Sequence, residues 1–237
     1  MARERKSGNL IEVPQLRNKT FVFEDRSNAG TVLAEKLTDY TGTDAVIFAI
    51  PAGGVPVAAM LATRLHLPLD VLVVRKIHIP WNREAGFGAL AWDGSILFNE
   101  PLLELLRLSH EEVERCIAAE QEEIERRLKL FRSDKPFPDV TGKVTIVVDD
   151  GLASGFTMLV ALTSLRKKKP EEIVVAVPTA SLSAIQKIRK EADTIVCLNI
   201  RMGRTFAVAD AYKRWYDLED DEVVAILKEV GYYKYKT

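Results

Sequence analysis

Two adjacent aspartates, Asp149 and Asp150, stand between an apolar run and a short loop that carries two glycines and two hydroxyl side chains. The loop ends where a helical pattern begins near Phe156. Backbone N–H groups at a helix N-terminus have no intrahelical acceptor, and the positive end of the helix dipole favours a phosphate there. Carboxylates only accept hydrogen bonds, so they suit the hydroxyls of a ribose or the water shell of a magnesium ion. The segment therefore predicts one ligand that carries both a sugar diol and a phosphate.

The backbone N–H groups from 153 to 157 are the predicted phosphate donors. Gly155 lacks a side chain, which lets the backbone approach the anion closely. The hydroxyls of Ser154 and Thr157 can add charge-assisted hydrogen bonds worth about 1.5 to 3 kcal/mol each. Taken singly, an Asp-Asp-Gly turn and a serine at a helix N-cap are common structural features. The functional interpretation rests on their occurrence together.

These residues must be positioned by the ends of buried strands. Continuously apolar runs rich in Val and Ile are typical of parallel strands that are covered on both faces. Amphipathic helical stretches alternate with them, which predicts an α/β fold with an open, mainly parallel sheet flanked by helices. The predicted strands are 45–50, 71–74, 144–148, 173–177 and 194–198, and the predicted helices are 29–38, 55–65, 156–165 and 182–189.

Other parts of the chain depart from this alternation. Apolar residues recur at helical spacing over 109–131, which predicts a long surface helix that either forms a dimer arm or packs on the flank of the sheet. Residues 1–20 and 201–237 do not continue the strand pattern. We expect a single domain over 1–237, with its core at about 21–200 and a small cap or hood from the two ends.

Composition excludes several classes of protein. The 237 residues include 33 Lys+Arg and 34 Asp+Glu, a net charge of -1, whereas a surface devoted to nucleic acid or an anionic membrane needs an excess of cations. Cys116 and Cys197 lie among apolar neighbours without a paired spacing, as expected for reduced cysteines of a cytosolic protein. No apolar run approaches the ~20 residues of a membrane span. The sequence predicts a cytoplasmic protein that binds neither membranes nor nucleic acid.

Residues 147–158 resemble the signature of the type I phosphoribosyltransferases, which is a hydrophobic strand, two acidic residues, two small or apolar residues, a variable residue, Thr-Gly and Thr. Here Ser154 stands where Thr is usual. The resemblance implies that Asp149 and Asp150 bind the ribose hydroxyls of phosphoribosyl pyrophosphate (PRPP), and these carboxylates are also the candidate ligands of Mg²⁺. Members that use hypoxanthine or guanine usually carry Asp where this chain has Ala153, which counts against those bases. The implied 5-phosphate loop consists of Ala153, Ser154, Gly155, Phe156 and Thr157.

The resemblance also assigns the pyrophosphate to two further strand ends, because ligands of open α/β sheets bind beyond the carboxyl ends of the strands. Ala52, Gly53 and Gly54 follow the first of these strands and correspond to the pyrophosphate-binding loop, although such a turn is as often purely structural. Arg75 and Lys76 end the second strand and would neutralise the leaving group, whereas cations at a strand end are more often simply solvated.

The resemblance extends to a little-characterised branch of predicted phosphoribosyltransferases and covers most of the chain, including 23–26, 51–58, 70–76 and 86–89 with 99–100. That branch commonly has Arg before the glycine pair. Ala52 in that place predicts a weaker grip on pyrophosphate, and Arg83 is the candidate substitute. Residues 78–91 suit a lid that excludes water. The alternative is an ordinary β-excursion with Trp81 tucked beneath it.

Residues and resemblance together predict an enzyme that moves the phosphoribosyl group of PRPP to a nitrogen nucleophile, expected to be a nucleobase, and releases pyrophosphate. Asp149, Asp150 and Lys76 are the expected catalytic residues, with Mg²⁺ as cofactor and a homodimer as the assembly. The alternative is a non-catalytic PRPP-sensing regulator that binds nucleic acid. A phosphohydrolase with an aspartate nucleophile is disfavoured because no Asp-x-Asp-x-Thr order occurs. Candidates for a base pocket, or for the core of the cap, are Phe206, Tyr212 and Trp215.

Overall fold

The computed structural model describes residues 8–133, 135–203 and 205–233, and at residues 83 and 84 it describes only the backbone. The described residues form a six-stranded sheet and a three-stranded sheet. The strands are β1 (Asn9–Glu12), β2 (Val46–Ala49), β3 (Leu69–Val71), β4 (Val74–Ile79), β5 (Asn82–Ala91), β6 (Ile96–Phe98), β7 (Val144–Val148), β8 (Glu172–Ser181) and β9 (Thr194–Arg201). The helices are α1 (Arg26–Ala34), α2 (Gly54–Leu65), α3 (Glu100–Leu106), α4 (His110–Arg132), α5 (Phe156–Arg166), α6 (Leu182–Ile188) and α7 (Asp220–Glu229).

The larger sheet has the strand order β1-β9-β8-β7-β2-β3, and every neighbouring pair is parallel. Strands β7 and β8 are buried apart from their first residues, as their continuous apolar runs predict. Apolar side chains of α1, α2, α4 and α7 share one hydrophobic cluster with one face of the sheet, and those of α5 and α6 share a second cluster with the other face. The prediction of an open, mainly parallel α/β sheet flanked by helices is confirmed.

The smaller sheet, which we call the hood sheet, is antiparallel with the order β4-β5-β6 and packs against α4 and α5. The single strand predicted over 71–74 is wrong, because β3 ends at Val71 and β4 begins at Val74. Arg75 and Lys76 therefore lie within β4 rather than at the end of a strand. Residues 78–91 form the end of β4 and all of β5, and Trp81 between these strands is 67% exposed instead of tucked beneath them.

The assignment of residues 1–20 to a cap is wrong for Asn9–Glu12, which form the edge strand β1 beside β9. Their side chains alternate between exposed and half-buried, because an edge strand with limited cover needs no continuous apolar run. At the other end of the chain, α7 buries Val223 and Leu227 in the cluster that contains α2. The parts of the predicted cap at 1–7, 204 and 234–237 lie outside the described residues.

The helix predicted over 109–131 corresponds to α4. Its N-cap Ser109 accepts from the backbone of Glu112, and the Glu112 side chain accepts from the Ser109 backbone. Ile124 and Phe131 are buried where α4 joins the hydrophobic cluster, so the helix packs on the flank of the fold, and its use as a dimer arm stays a prediction. Within the described ranges, no helix is both long enough and apolar enough to cross a membrane.

Candidate functional site

Asp149 and Asp150 directly follow β7, and we call residues 149–151 the acid loop. Arg26, the first residue of α1, donates from Nε to Asp150 Oδ2 at 2.9 Å. Arg26 is only 7% exposed; its guanidinium lies 3.8 Å from the centre of the Trp215 ring, and Nη1 donates to the Tyr216 carbonyl at 2.8 Å. A largely buried carboxylate needs such a partner because an unpaired charge there is costly. Arg26 thus fixes Asp150 and ties the acid loop to the C-terminal segment.

The two carboxylates of the acid loop perturb each other. Asp149 Oδ1 accepts the backbone N–H of Asp150 at 2.8 Å. Burial raises the pKa of Asp149 well above its usual range, and the charge of Asp150 raises that pKa further. Burial also raises the pKa of Asp150, although the Arg26 guanidinium opposes the rise. Added hydrogen-bond donors or a cation would stabilise this pair, so the loop is suited to sugar hydroxyls or a metal ion.

The donors of the acid loop fit Mg²⁺ that is shared with a substrate. Among the described residues, no group of three or more His, Cys, Asp or Glu side chains is arranged to hold a metal ion. Mg²⁺ commonly binds through one or two carboxylates and completes its shell with water and substrate phosphates. Asp149 and Asp150 supply two hard oxygen ligands of that kind, and Asp150 already pairs with Arg26. The residues therefore suit an ion that arrives with a phosphorylated ligand.

Residues 51–54, which we call the glycine loop, pack directly against the acid loop. A Cβ added to Gly53 would lie 1.8 Å from Asp150 Oδ2, and one added to Gly54 would lie 2.7 Å from a carbonyl oxygen of β7. Both distances are shorter than Cβ contacts in proteins, so this approach requires glycine. In the described part of the chain, the backbone N–H groups of Ala52 and Gly53 donate to no acceptor. The glycine loop therefore offers free donors beside the two carboxylates.

The backbone N–H groups of residues 153–158, which we call the amide loop, have no acceptor within the described ranges. The hydroxyls of Ser154 and Thr157 have no partner there either. Gly155 is the N-cap of α5 with a φ of 76°, and a Cβ on it would lie 3.2 Å from the backbone of α6. Because backbone N–H groups in folded proteins are nearly always paired, successive free donors at a helix N-terminus indicate an anion site.

Arg75 is not brought to the acid loop by any contact among the described residues. Its Nε lies 2.9 Å from Glu120 Oε2 on α4, and His78 Nδ1 lies 2.5 Å from Oε1 of the same carboxylate. These groups line a cleft of about 600 Å³ between the hood sheet and α4. Lys76 lies with its stem over β5, where a Cβ added to Gly86 would be 2.2 Å from Lys76 Cγ. The side chain of Arg83, the candidate substitute for Ala52, lies outside the described part of the protein.

The cap aromatics support the acid loop. Tyr212 is 1% exposed, and its hydroxyl donates to the Asp150 carbonyl at 2.6 Å. Trp215 lies against both Tyr212 and the Arg26 guanidinium. Phe206 is half-buried, 6.0 Å from the guanidinium of Arg201. Tyr212 and Trp215 therefore belong to the core of the cap, which was the second of their two interpretations.

Sequence reasoning missed Arg26, Ser181 and Lys187 as supports of the site. Two adjacent carboxylates at a strand end signal the need for a cation, but the signal does not select Arg26 among 33 Lys and Arg residues. Ser181 and Lys187 bind carbonyl oxygens of the amide loop at 2.7 and 2.6 Å. Such support depends on tertiary packing, so a local motif does not contain it.

Comparison with known proteins gives these features a family context. The phosphoribosyl transferase domain model matches residues 93–213, which contain β7, the acid loop and the amide loop. "Putative phosphoribosyl transferase Rv0571c" of Mycobacterium tuberculosis (strain ATCC 25618 / H37Rv) and its counterpart MT0597 of strain CDC 1551 / Oshkosh are each 36% identical over 209 residues, which is 87% of this chain and 46% of theirs. The chain thus spans less than half the length of these relatives. The crystal structure of TT1426 from Thermus thermophilus is 33% identical with a TM-score of 0.70, covering 87% of this chain and 98% of that chain.

Proposed function

This chain belongs to the phosphoribosyl transferase domain family, and we propose that it transfers the phosphoribosyl group of PRPP to a nitrogen nucleophile, with a nucleobase as the expected acceptor, and releases pyrophosphate. The observation that carries the proposal is the succession of the glycine loop, the acid loop and the amide loop at the carboxyl ends of β2 and β7. Carboxylates suit a ribose diol, and each of the other loops offers unpaired N–H groups to a phosphate. A ribose with a phosphate group at each end matches this order.

The reaction makes an electrostatic demand on the site. Departure of pyrophosphate leaves positive charge on the ribose ring, which the protein must stabilise. Asp149 and Asp150 would hold the ribose hydroxyls and place negative charge near the developing cation. The amide loop would bind the 5-phosphate and so orient C1 toward its attacker. Mg²⁺ held by Asp149 and Asp150 together with substrate phosphates would supply positive charge beside the leaving group.

The leaving pyrophosphate is assigned to the glycine loop. The N–H groups of Ala52 and Gly53 are unpaired in the described part of the chain, and α2 begins at Gly54, so its dipole adds positive potential. Arg75 and Lys76 keep their predicted roles at the leaving group. Arg75 reaches it only after its ion pair with Glu120 opens, which couples leaving-group binding to movement of the hood sheet.

A screen for pyrophosphate release from PRPP with purines, pyrimidines and other amines tests the reaction directly. Asp149→Asn keeps an oxygen that can accept the Asp150 N–H but removes the charge. We expect it to lower PRPP affinity about tenfold, because a hydrogen bond to a charged group contributes about 1.5 to 3 kcal/mol. Asp44→Asn, in an exposed bend, is the matched control. A folded Asp149→Asn variant with wild-type PRPP affinity and turnover would contradict the assigned role.

The alternative is a PRPP-sensing regulator of the same fold that binds nucleic acid. Two observations favour it. Ala52 stands where related sequences carry Arg, and Arg75 is neutralised by Glu120, so both reduce the positive charge available to pyrophosphate. A regulator would release no pyrophosphate with any acceptor and would bind RNA or DNA with an affinity that falls steeply with salt. Nucleic-acid titrations at two salt concentrations, beside the pyrophosphate screen, separate the two functions.

A further inference from the structure

Two successive carbonyl groups of the amide loop are held by side chains of the segment that joins β8 to α6. The Ser181 hydroxyl, at the N-cap of α6, donates to the Ala153 carbonyl at 2.7 Å. The Lys187 ammonium, in the last turn of α6, donates to the Ser154 carbonyl at 2.6 Å. One short segment therefore holds two neighbouring peptide units of the loop.

The hydrogen bonds around Ser181 have a fixed direction because its hydroxyl has a single proton. Ser181 Oγ lies 3.0 Å from the backbone nitrogen of Ala184 and 3.0 Å from Ser183 Oγ. A carbonyl only accepts, so the Ser181 proton is directed at Ala153, and Ser183 donates to Ser181. The hydroxyl is thus saturated, with two acceptor contacts and one donor contact. A saturated hydroxyl holds the Ala153 carbonyl in one orientation.

Lys187 is bound to the loop by two contacts and keeps its charge unneutralised. Its ammonium lies 3.6 Å from the centre of the Phe156 ring in addition to its bond to the Ser154 carbonyl. Burial lowers the pKa of Lys187. Across the described residues, no carboxylate pairs with it. The ammonium therefore adds net positive potential beside the amide loop, unlike the guanidinium of Arg26, which is paired with Asp150.

The held carbonyls also fix the direction of the amides that follow them. In a trans peptide unit the C=O and N–H bonds point in opposite directions, so the N–H groups of Ser154 and Gly155 point away from Ser181 and Lys187. Both belong to the successive amides that lack acceptors within the described ranges. A peptide unit released from these contacts can rotate and turn its carbonyl oxygen toward the anion. That oxygen would repel a phosphate where the N–H group attracts it.

Resting on the proposed function, we infer that Ser181 and Lys187 are positioning residues for phosphate: they direct the Ser154 and Gly155 N–H groups into the anion site, and Lys187 adds positive charge behind them. The ligand class is a phosphate monoester, whose several terminal oxygens match several convergent N–H donors. The glycine loop has no contact with either residue among those described, so pyrophosphate bound there is independent of this device.

Calorimetric titrations with ribose 5-phosphate and with pyrophosphate test the inference. Lys187→Met keeps an apolar stem against Phe156 but removes the donor and the charge, so we expect ribose 5-phosphate affinity to fall about tenfold while pyrophosphate affinity stays within about twofold. Lys187→Arg should restore most of the lost affinity. Lys190→Met, an exposed change just beyond α6, is the matched control and should leave both affinities unchanged.

A folded Lys187→Met variant that binds ribose 5-phosphate like the wild type overturns the inference, whether or not the wild type releases pyrophosphate from PRPP. Equal loss of both ligands assigns Lys187 a merely structural role and also overturns it. If the wild type transfers to no acceptor but Lys187→Met loses ribose 5-phosphate selectively, the inference stands and the proposed function fails. Should Lys187→Met not fold, Ser183→Ala removes the donor to Ser181 and should weaken ribose 5-phosphate selectively, by about threefold; an unchanged affinity refutes the inference.

Discussion

Gly53→Ala is a direct perturbation of the candidate site because it adds one methyl group against the acid loop. Gly53 has a φ of -60° and a ψ of -32°, which alanine adopts without strain, so the effect is purely steric. The new Cβ would lie 1.8 Å from Asp150 Oδ2, whereas Cβ contacts shorter than 3.0 Å essentially never occur. From the difference between these distances, the Asp150 carboxylate must move by at least about 1.2 Å.

The expected loss of stability follows from what that carboxylate binds. Its displacement breaks the 2.9 Å hydrogen bond from Arg26, and such a bond between charged groups contributes about 1.5 to 3 kcal/mol. Arg26 keeps its contacts with Tyr216 and Trp215, which limits the loss. Replacing glycine by alanine in a compatible conformation stabilises by about 0.4 to 1 kcal/mol through the unfolded state. We therefore expect the free energy of unfolding to fall by about 1 to 2 kcal/mol, or Tm by about 2 to 8 °C.

Urea unfolding followed by circular dichroism measures the stability, and calorimetric titration with PRPP measures the effect on the site. Gly203→Ala is the matched control, because its added Cβ would meet only the Thr205 carbonyl oxygen at 3.6 Å. PRPP affinity of Gly53→Ala should fall as well, since the displaced Asp150 carboxylate no longer has its place beside the glycine loop. The reasoning is refuted if the Gly53→Ala and Gly203→Ala variants match in both stability and PRPP affinity.

Three further changes test other parts of the site and fold. Gly155→Val should abolish PRPP binding, because a φ of 76° is strained for a β-branched residue; retained affinity in calorimetry would contradict the role of the amide loop. Arg26→Met should lower the free energy of unfolding by about 3 kcal/mol, because it leaves the Asp150 carboxylate without its partner; a loss below about 1 kcal/mol in urea unfolding would sink that argument. The hydrogen bond from Arg126 lowers the pKa of Glu123 from 4.5 to about 2, so its contribution to stability is complete above pH 4.5 and disappears as the pH falls through 2. Glu123→Gln should therefore cost about 1 kcal/mol at neutral pH and progressively less in acid, and a pH-independent difference would count against this assignment.

The central strands and the amide loop are predictable because their signals are local. Residues 144–148 form one apolar run because β7 is covered on both faces, and β7 has the predicted bounds. The glycine and hydroxyl residues of the amide loop lie within a few positions of each other, so their order alone places Gly155 before the helix that begins at Phe156. The long helix α4 is equally predictable, since Ser109 and Glu112 form its capping box.

Contacts between distant segments are not contained in such local patterns. Arg26 and Asp150 lie 124 positions apart, and Lys187 lies 33 positions after the carbonyl group that it binds. Arg75 was misplaced for a different reason. The chain passes from one sheet to the other between β3 and β4, so the apolar residues 71–74 belong to two sheets, and continuous apolarity does not reveal the break. The edge strand β1 was missed because only β9 pairs with it, which leaves its sequence pattern weak.

A net charge of -1 is compatible with a multiply phosphorylated ligand because of the way in which the candidate site meets negative charge. Arg26 is neutralised by Asp150, and Arg75 by Glu120, so these guanidinium groups add little net positive potential. Backbone N–H groups carry only partial charges, and the glycine and amide loops can therefore bind phosphate without raising the net charge. Nucleic acid, by contrast, is bound through many Lys and Arg side chains that displace counter-ions. A site built from convergent amides, with the unpaired ammonium of Lys187 behind them, favours a compact phosphate ester over an extended polyanion, and its selectivity depends on the geometry of the two loops more than on the charge of the surface.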